Sequence, residues 1–256
     1  EYTAGPAGAF AAVLIACEIG KLVSKETKVD ILVTPIVTIL TGFGIAKLLC
    51  PPIAYAMYYL GEFINSATIL HPFYMGIIIS VVVGIVLTLP ISSAAVCAMI
   101  GISGIAGGAA TVGCCCQMVG FAVMSFRENR WGGLAAQGIG TSMLQMGNIV
   151  RNPRIWIPPT LASAITGPIA TCIFRMEMNG APVSSGMGTC GLVGQIGVYT
   201  GWVNDVASGA KAAITGTDWL GLVLISFVLP AVLTWLIAIP LRKWGWIKDG
   251  DLKLDL

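Results

Sequence analysis

Charge is scarce in this sequence. Of 256 residues, 14 are Lys or Arg, 12 are Asp or Glu, and one is His. Charged residues make up 10% of the chain, against about 25% in ordinary soluble domains. The formal charge of +2 is too small to call for a nucleic-acid partner. A single histidine cannot build a two-histidine metalloprotease motif, and neither a G-x-S-x-G elbow nor a phosphate-cradling Walker glycine loop occurs. C-x-x-C spacing is also missing, so the 8 cysteines, three of them consecutive at 114–116, read as reduced small hydrophobes rather than metal ligands. No metal or cofactor is expected.

Apolar residues fill the space that charge leaves. Hydrophobic residues are 56% of the chain and the mean hydropathy is +0.87, which places the protein in a bilayer. The 32 glycines and 13 prolines agree, since both are commoner in membrane helices than in soluble ones. The expected fold is an all-α polytopic membrane protein of about seven to nine segments, broken helices and re-entrant hairpins included, given that one span takes roughly 17–25 residues. Ile31–Leu49, stopped by Pro51-Pro52, Phe73–Leu89, Ala106–Phe126, Ile155–Phe174 and Trp219–Leu241 read as apolar runs. Leu134–Val150 and Val183–Trp202 are too polar or too glycine-rich for lipid-facing helices. No basic region precedes the first apolar run and no cleavage site follows it, so a signal peptide is not expected; further membrane sequence N-terminal to Glu1 is. The basic loops near 21–28, 127–130 and 242–248 are expected on the cytoplasmic side.

One pattern occurs twice. Thr88-Leu-Pro90-Ile leads into Gly108-Ala-Ala-Thr111-Val-Gly113-Cys-Cys-Cys-Gln117, and Thr166-Gly-Pro168-Ile leads into Gly186-Met-Gly-Thr189-Cys-Gly191-Leu-Val-Gly-Gln195. The shared frame, T-x-P-I followed by G-x-x-T-x-G-x-x-x-Q, suggests two halves of one transporter-like domain, approximately 73–126 and 155–203. A Thr two residues before a Pro is expected to cap a new half-helix whose free N–H groups face a polar solute. Paired interrupted segments of this kind mark binding sites in transporters. The candidate solute ligands are therefore Thr88, Ser92, Ser93, Gln117, Thr166, Thr171, Thr189 and Gln195, with the cavity expected between the two proline breaks. Small residues at this spacing also pack helices without any ligand, and Thr in a helix often bonds to its own backbone.

Outside the frame, Glu177 and Asn179 stand with Arg175 in one copy only, where the other copy has Cys97, Met99 and Gly101. His71, next to a proline-terminated break, is a further candidate, since histidine can bond a sugar hydroxyl or carry a proton.

From Arg151-Asn-Pro-Arg154 through Gly186-Met-Gly-Thr-Cys-Gly191 the chain resembles the membrane (IIC) components of the sugar phosphotransferase system. More closely, it resembles the stand-alone IIC-like proteins described as regulators of clostridial toxin (perfringolysin) expression. The resemblance implies a bacterial inner-membrane, multi-pass homodimer with a transport domain that moves as a unit, a sugar-like solute, lipid surroundings and separate IIA and IIB proteins for any phosphorylation. His71 and Glu177 are then the nearest candidates for handling the sugar hydroxyl. The G-I-[TN]-E-P signature of glucose-type members is absent, and Met176-Glu177-Met178-Asn179 is a loose substitute. Transport of a sugar or sugar-like acid by alternating access, solute sensing without transport, and ion- or proton-coupled exchange remain as readings.

Overall fold

A computed structural model describes residues 5–24, 30–68 and 70–254. Lys25 and Lys28 of the first basic loop lie outside the described residues. The described chain is mostly helical, its one β-like feature being an isolated antiparallel bridge between Gly104 and Met178. It divides into two compact units, Glu1–Glu62 and Phe63–Leu256.

The first unit holds α1 (Gly5–Val23) and most of α2 (Asp30–Thr68). Gly20 of α1 packs on the side chain of Thr38, and Gly42 of α2 faces Ala16. Large apolar side chains such as Phe10, Leu14, Leu40 and Phe43 point outward, as suits lipid. The break expected at Pro51-Pro52 is not there, because α2 runs through both prolines to Thr68. Each proline removes one helical hydrogen bond. Opening the helix beside them would strip more backbone groups of partners where no water can replace them.

The second unit is built around α5 (Gly104–Met124), an apolar helix almost entirely buried within the protein. Against it pack α3 (Pro72–Thr88), α8 (Ile157–Pro168) and α12 (Leu229–Lys243). Small residues every fourth position explain how close these helices come. Gly76, Ser80, Gly84 and Thr88 form one stripe on α3. The Ser80 hydroxyl donates to the Ser163 carbonyl at 2.8 Å, and Thr171 donates to the Pro72 carbonyl at 2.9 Å, so α3 and α8 run antiparallel. Gly113 meets the Ser80 backbone so closely that a side chain there would collide with it.

The proline breaks differ from expectation in a way the backbone explains. Thr88 is the last residue of α3 and does not start a new helix; Leu89, ahead of Pro90, is extended (ψ 156°). The cap of α4 (Ser93–Ile100) is Ser92, whose hydroxyl accepts from the Ala95 N–H at 3.2 Å. Thr166 and Pro168 lie inside α8, with Thr166 donating to the Ala162 carbonyl at 2.7 Å. The helix passes Pro168 by widening into a π turn at Ile169–Ile173, closed by Phe174 N–H on the Ile169 carbonyl at 3.2 Å.

The first copy of the G-x-x-T-x-G-x-x-x-Q frame lies wholly within α5. The second starts just past α9 (Pro182–Ser185), runs through a turn with Gly188, Gly191 and Leu192 at positive φ, and ends at the start of α10 (Val193–Ala207). Leu134–Val150 holds the end of α6 (Phe126–Ala135), π and 3-10 turns and the start of α7 (Met146–Arg151). After α10 a loop leads to α11 (Gly216–Val223), which continues through a π turn into α12. Three described helices are long and apolar enough to cross a membrane, Leu32–Thr68, Gly104–Met124 and Gly216–Lys243, with Pro72–Thr88 a shorter apolar one. The chain is thus an all-α polytopic protein.

Candidate functional site

Beyond the π turn the chain leaves α8 in an extended run. Arg175 takes a left-handed φ of 45°, a conformation that costs a non-glycine residue on the order of 1 kcal/mol and persists where the surroundings fix it. Here the Met176 N–H is bound to the Ala170 carbonyl at 2.9 Å, and Met178 exchanges backbone hydrogen bonds with Gly104 at 2.9 and 3.1 Å. Side chains along such a segment alternate in direction. Met176 and Met178 point into the core with Val112, Val198 and Ile225, while Arg175 and Glu177 are exposed and Asn179 half-buried.

These outward side chains line a cavity of about 510 Å³, within the roughly 300–1,000 Å³ usual for small-molecule sites. The opposite wall comes from α10, the following loop and α11. Trp202 and Asp205 sit one helical turn apart on α10; Lys211 comes from the loop; Thr217 and Asp218 begin α11. The Thr215 N–H donates to the Asp218 carboxylate at 2.8 Å, capping α11 and fixing that carboxylate. Lys211 pairs with Asp218 at 2.8 Å, and its ammonium lies 5.0 Å from the centre of the Trp202 ring. Trp202 stacks edge-on against Trp219, which also meets Tyr199.

Asn179 ties the two walls together. Its side-chain oxygen accepts from the Gly104 N–H at 3.1 Å, and its amide nitrogen donates to Glu177 at 3.1 Å and Asp205 at 3.0 Å. The cavity therefore presents fixed carboxylate acceptors, cationic donors, a hydroxyl and an aromatic face. That combination suits a small solute with several hydroxyl groups, each of which both donates and accepts.

Of the residues singled out in the sequence, Arg175, Glu177 and Asn179 line this cavity. The others lie elsewhere, and the cavity is not between Pro90 and Pro168. Thr88, Thr166, Thr189 and Gln117 are fully buried. Gln117 joins three helices: its oxygen accepts from Trp156 Nε1 at 3.0 Å and from Thr88 at 3.4 Å, and its nitrogen donates to Thr160 at 3.3 Å. Thr88 also meets Ser142 at 2.9 Å. Ser93 donates to the Gly186 carbonyl at 2.6 Å, and Thr189 reaches the Met118 sulfur at 3.5 Å. Gln195 donates to the Cys115 sulfur at 3.3 Å, and its oxygen is buried without a partner among the described residues. His71 is exposed at the start of α3 and makes no capping bond with its side chain.

Sequence reasoning missed Trp202, Asp205, Lys211, Thr217 and Asp218. Two local signals were present: the T-x-x-D capping pattern at Thr215–Asp218, and the Met-in, polar-out alternation from Arg175 to Asn179.

Fold and site together define an all-helical integral membrane protein with a polar cavity of solute size. The chain belongs to the family described as "Phosphotransferase system, EIIC", whose model matches residues 2–254. Membership supports sugar-type membrane transport in general. No curated protein and no solved structure matches the chain.

Proposed function

We propose that the cavity between Arg175–Asn179 and the α10–α11 wall binds a sugar or sugar-like acid, and that the chain moves it across the bacterial cell membrane by alternating access. The carrying observation is the Asn179 clamp. One amide orients carboxylates from two separate elements, Glu177 and Asp205, toward a cavity that also holds Lys211 and Trp202. In this reading Glu177 and Asp205 accept from solute hydroxyls, Arg175 and Lys211 donate to ring or acid oxygens, and Trp202 bounds the apolar face of the solute. Thr88 and Gln117 hold α3, α5 and α8 together away from the site. A homodimer, with separate IIA and IIB proteins for any phosphorylation, is the working assembly the family reading implies.

Equilibrium binding of radiolabelled hexoses, hexitols and sugar acids to the purified protein tests this. A hydrogen bond to a charged group contributes about 1.5–3 kcal/mol, so Glu177→Gln or Asp205→Asn is expected to weaken binding by roughly tenfold or more. Proteoliposomes made with the same protein should show flux of the solute that binds. Binding without flux would leave a sensor, and unchanged binding in both variants would remove the site from this cavity.

A further inference from the structure

Two helices connect the cavity to the other end of the second unit. The Gly104 N–H of α5 bonds to Asn179 at the cavity, and the Met124 carbonyl at the far end accepts from Arg242 at 3.0 Å. The 21 residues of α5, at about 1.5 Å each, measure about one hydrocarbon thickness. The Gly216–Lys243 helix likewise starts beside the cavity and ends beside Met124.

At that far end the chain turns at Gly245 (φ 71°) and folds back. Ile247 and Leu252 are buried against Phe121, Ile149 and Ile155. Side-chain amides fix the tail by its backbone. Asn129 and Gln145 donate to the Leu252 carbonyl at 2.7 and 3.0 Å, Asn148 to Lys253 at 2.9 Å, and Asn152 to Trp246 at 2.9 Å. The acidic residues here are each bonded within the protein, with Glu128 and Asp251 at least partly buried and Asp249 on the surface. Glu128 and Asp249 both pair with Arg242, and Asp251 accepts from Asn152 and the Lys248 N–H. The basic residues are left outward: Arg127, Arg130, Arg151, Arg154, Lys248 and Lys253 are all exposed, and among the described residues none of them is in an ion pair. Trp131, Trp244 and Trp246 are exposed among them, with Arg154 lying 5.2 Å from the Trp246 ring.

We infer that this end is a docking surface for anionic phospholipid headgroups, and that the cavity therefore opens on the opposite side of the membrane from the leaflet it grips. Exposed Leu161 and Ile165 on α8 and Val232, Trp235 and Leu236 on α12 supply an apolar surface on helices that lead into this end. Cations beside exposed tryptophans at the edge of such a surface match the headgroup layer, which attracts Lys and Arg and holds indole rings. In bacteria the cytoplasmic side is the basic one, so the cavity faces outward. The inference uses the position of the cavity and does not depend on what it binds.

The full chain in lipid nanodiscs tests the surface, with bromine placed either on phosphatidylglycerol or on phosphatidylcholine at equal mole fraction. Tryptophan quenching is expected to be stronger from the anionic lipid, and the excess should fade at about 1 M salt, where the Debye length is about 3 Å. R127Q/R130Q/R154Q should remove most of that preference, while R127K/R130K/R154K keeps it. Equal quenching from both lipids, or a preference that survives the glutamine variant, would overturn the surface. Sidedness is read with Thr217→Cys at the cavity rim, scored above the native-cysteine background with a membrane-impermeant thiol reagent. Labelling in intact cells is expected; labelling confined to inverted vesicles would overturn the orientation.

Discussion

The side-chain amide of Asn179 lies 3.0 Å from the carboxylate of Asp205, and so joins the extended segment after α8 to helix α10. The same nitrogen holds Glu177 at 3.1 Å. Two carboxylates drawn to one donor stay oriented only while that donor is present. Asn179→Leu is expected to leave them repelling one another and to weaken solute binding by at least roughly tenfold. The fold should survive, because Gly104 and Met178 keep their backbone pair. Binding and thermal melting measured on one preparation separate these effects. An intact site in Asn179→Leu would contradict the clamp.

Close helix approach makes a second, purely structural prediction. A methyl at Gly113 would meet the Ser80 backbone, whereas one at Gly132 has open space. Gly113→Ala should cost about 1–3 kcal/mol or more through overpacking. Gly132→Ala should be near neutral. Thermal unfolding in detergent compares the pair directly.

Gln117 gives a third. Its replacement by Leu strands the indole N–H of Trp156 and frees Thr88 and Thr160 from their shared partner. Leaving such a buried group without its bond costs about 1–3 kcal/mol. Gln117→Leu should therefore lower the melting temperature while leaving the affinity of the distant cavity within about twofold, as expected for well-separated sites. A large loss of affinity with unchanged stability would instead make Gln117 a solute ligand.

At the far end, Glu128 is 8% exposed and its charge is balanced by Arg242 at 3.0 Å. Removing one partner of a buried pair costs about 3–5 kcal/mol, mostly because the other charge is left alone. Arg242→Met is expected to destabilise the protein on that scale, and adding Glu128→Gln should recover much of the loss. A double variant no more stable than the single one would show that the pair matters little.

Long apolar runs were legible in the sequence. Ala106–Phe126 became Gly104–Met124, and Trp219–Leu241 became the core of Gly216–Lys243. The glycine and threonine stripes were legible as packing signals, and the structure uses them to bring α3, α5 and α8 together. Pro51 and Pro52 misled because a proline's cost is judged against water, while a bilayer makes breaking the helix worse. The cavity was half visible. Glu177 and Asn179 stood out as polar residues in one copy of the frame, but Asp205, Lys211 and Asp218 join them only once α10 and α11 fold across. Nothing in the spacing of Ile247 and Leu252 within a charged tail announced that both would be buried.

The most direct test of the account is a crystal or cryo-electron microscopy map of the protein with the tightest-binding sugar from the panel. Solute density is predicted between Trp202, Glu177 and Asp205, on the Lys211 side of Asn179. Density beside Thr88 and Gln117, with the cavity at Arg175–Asp218 holding only water, would contradict it.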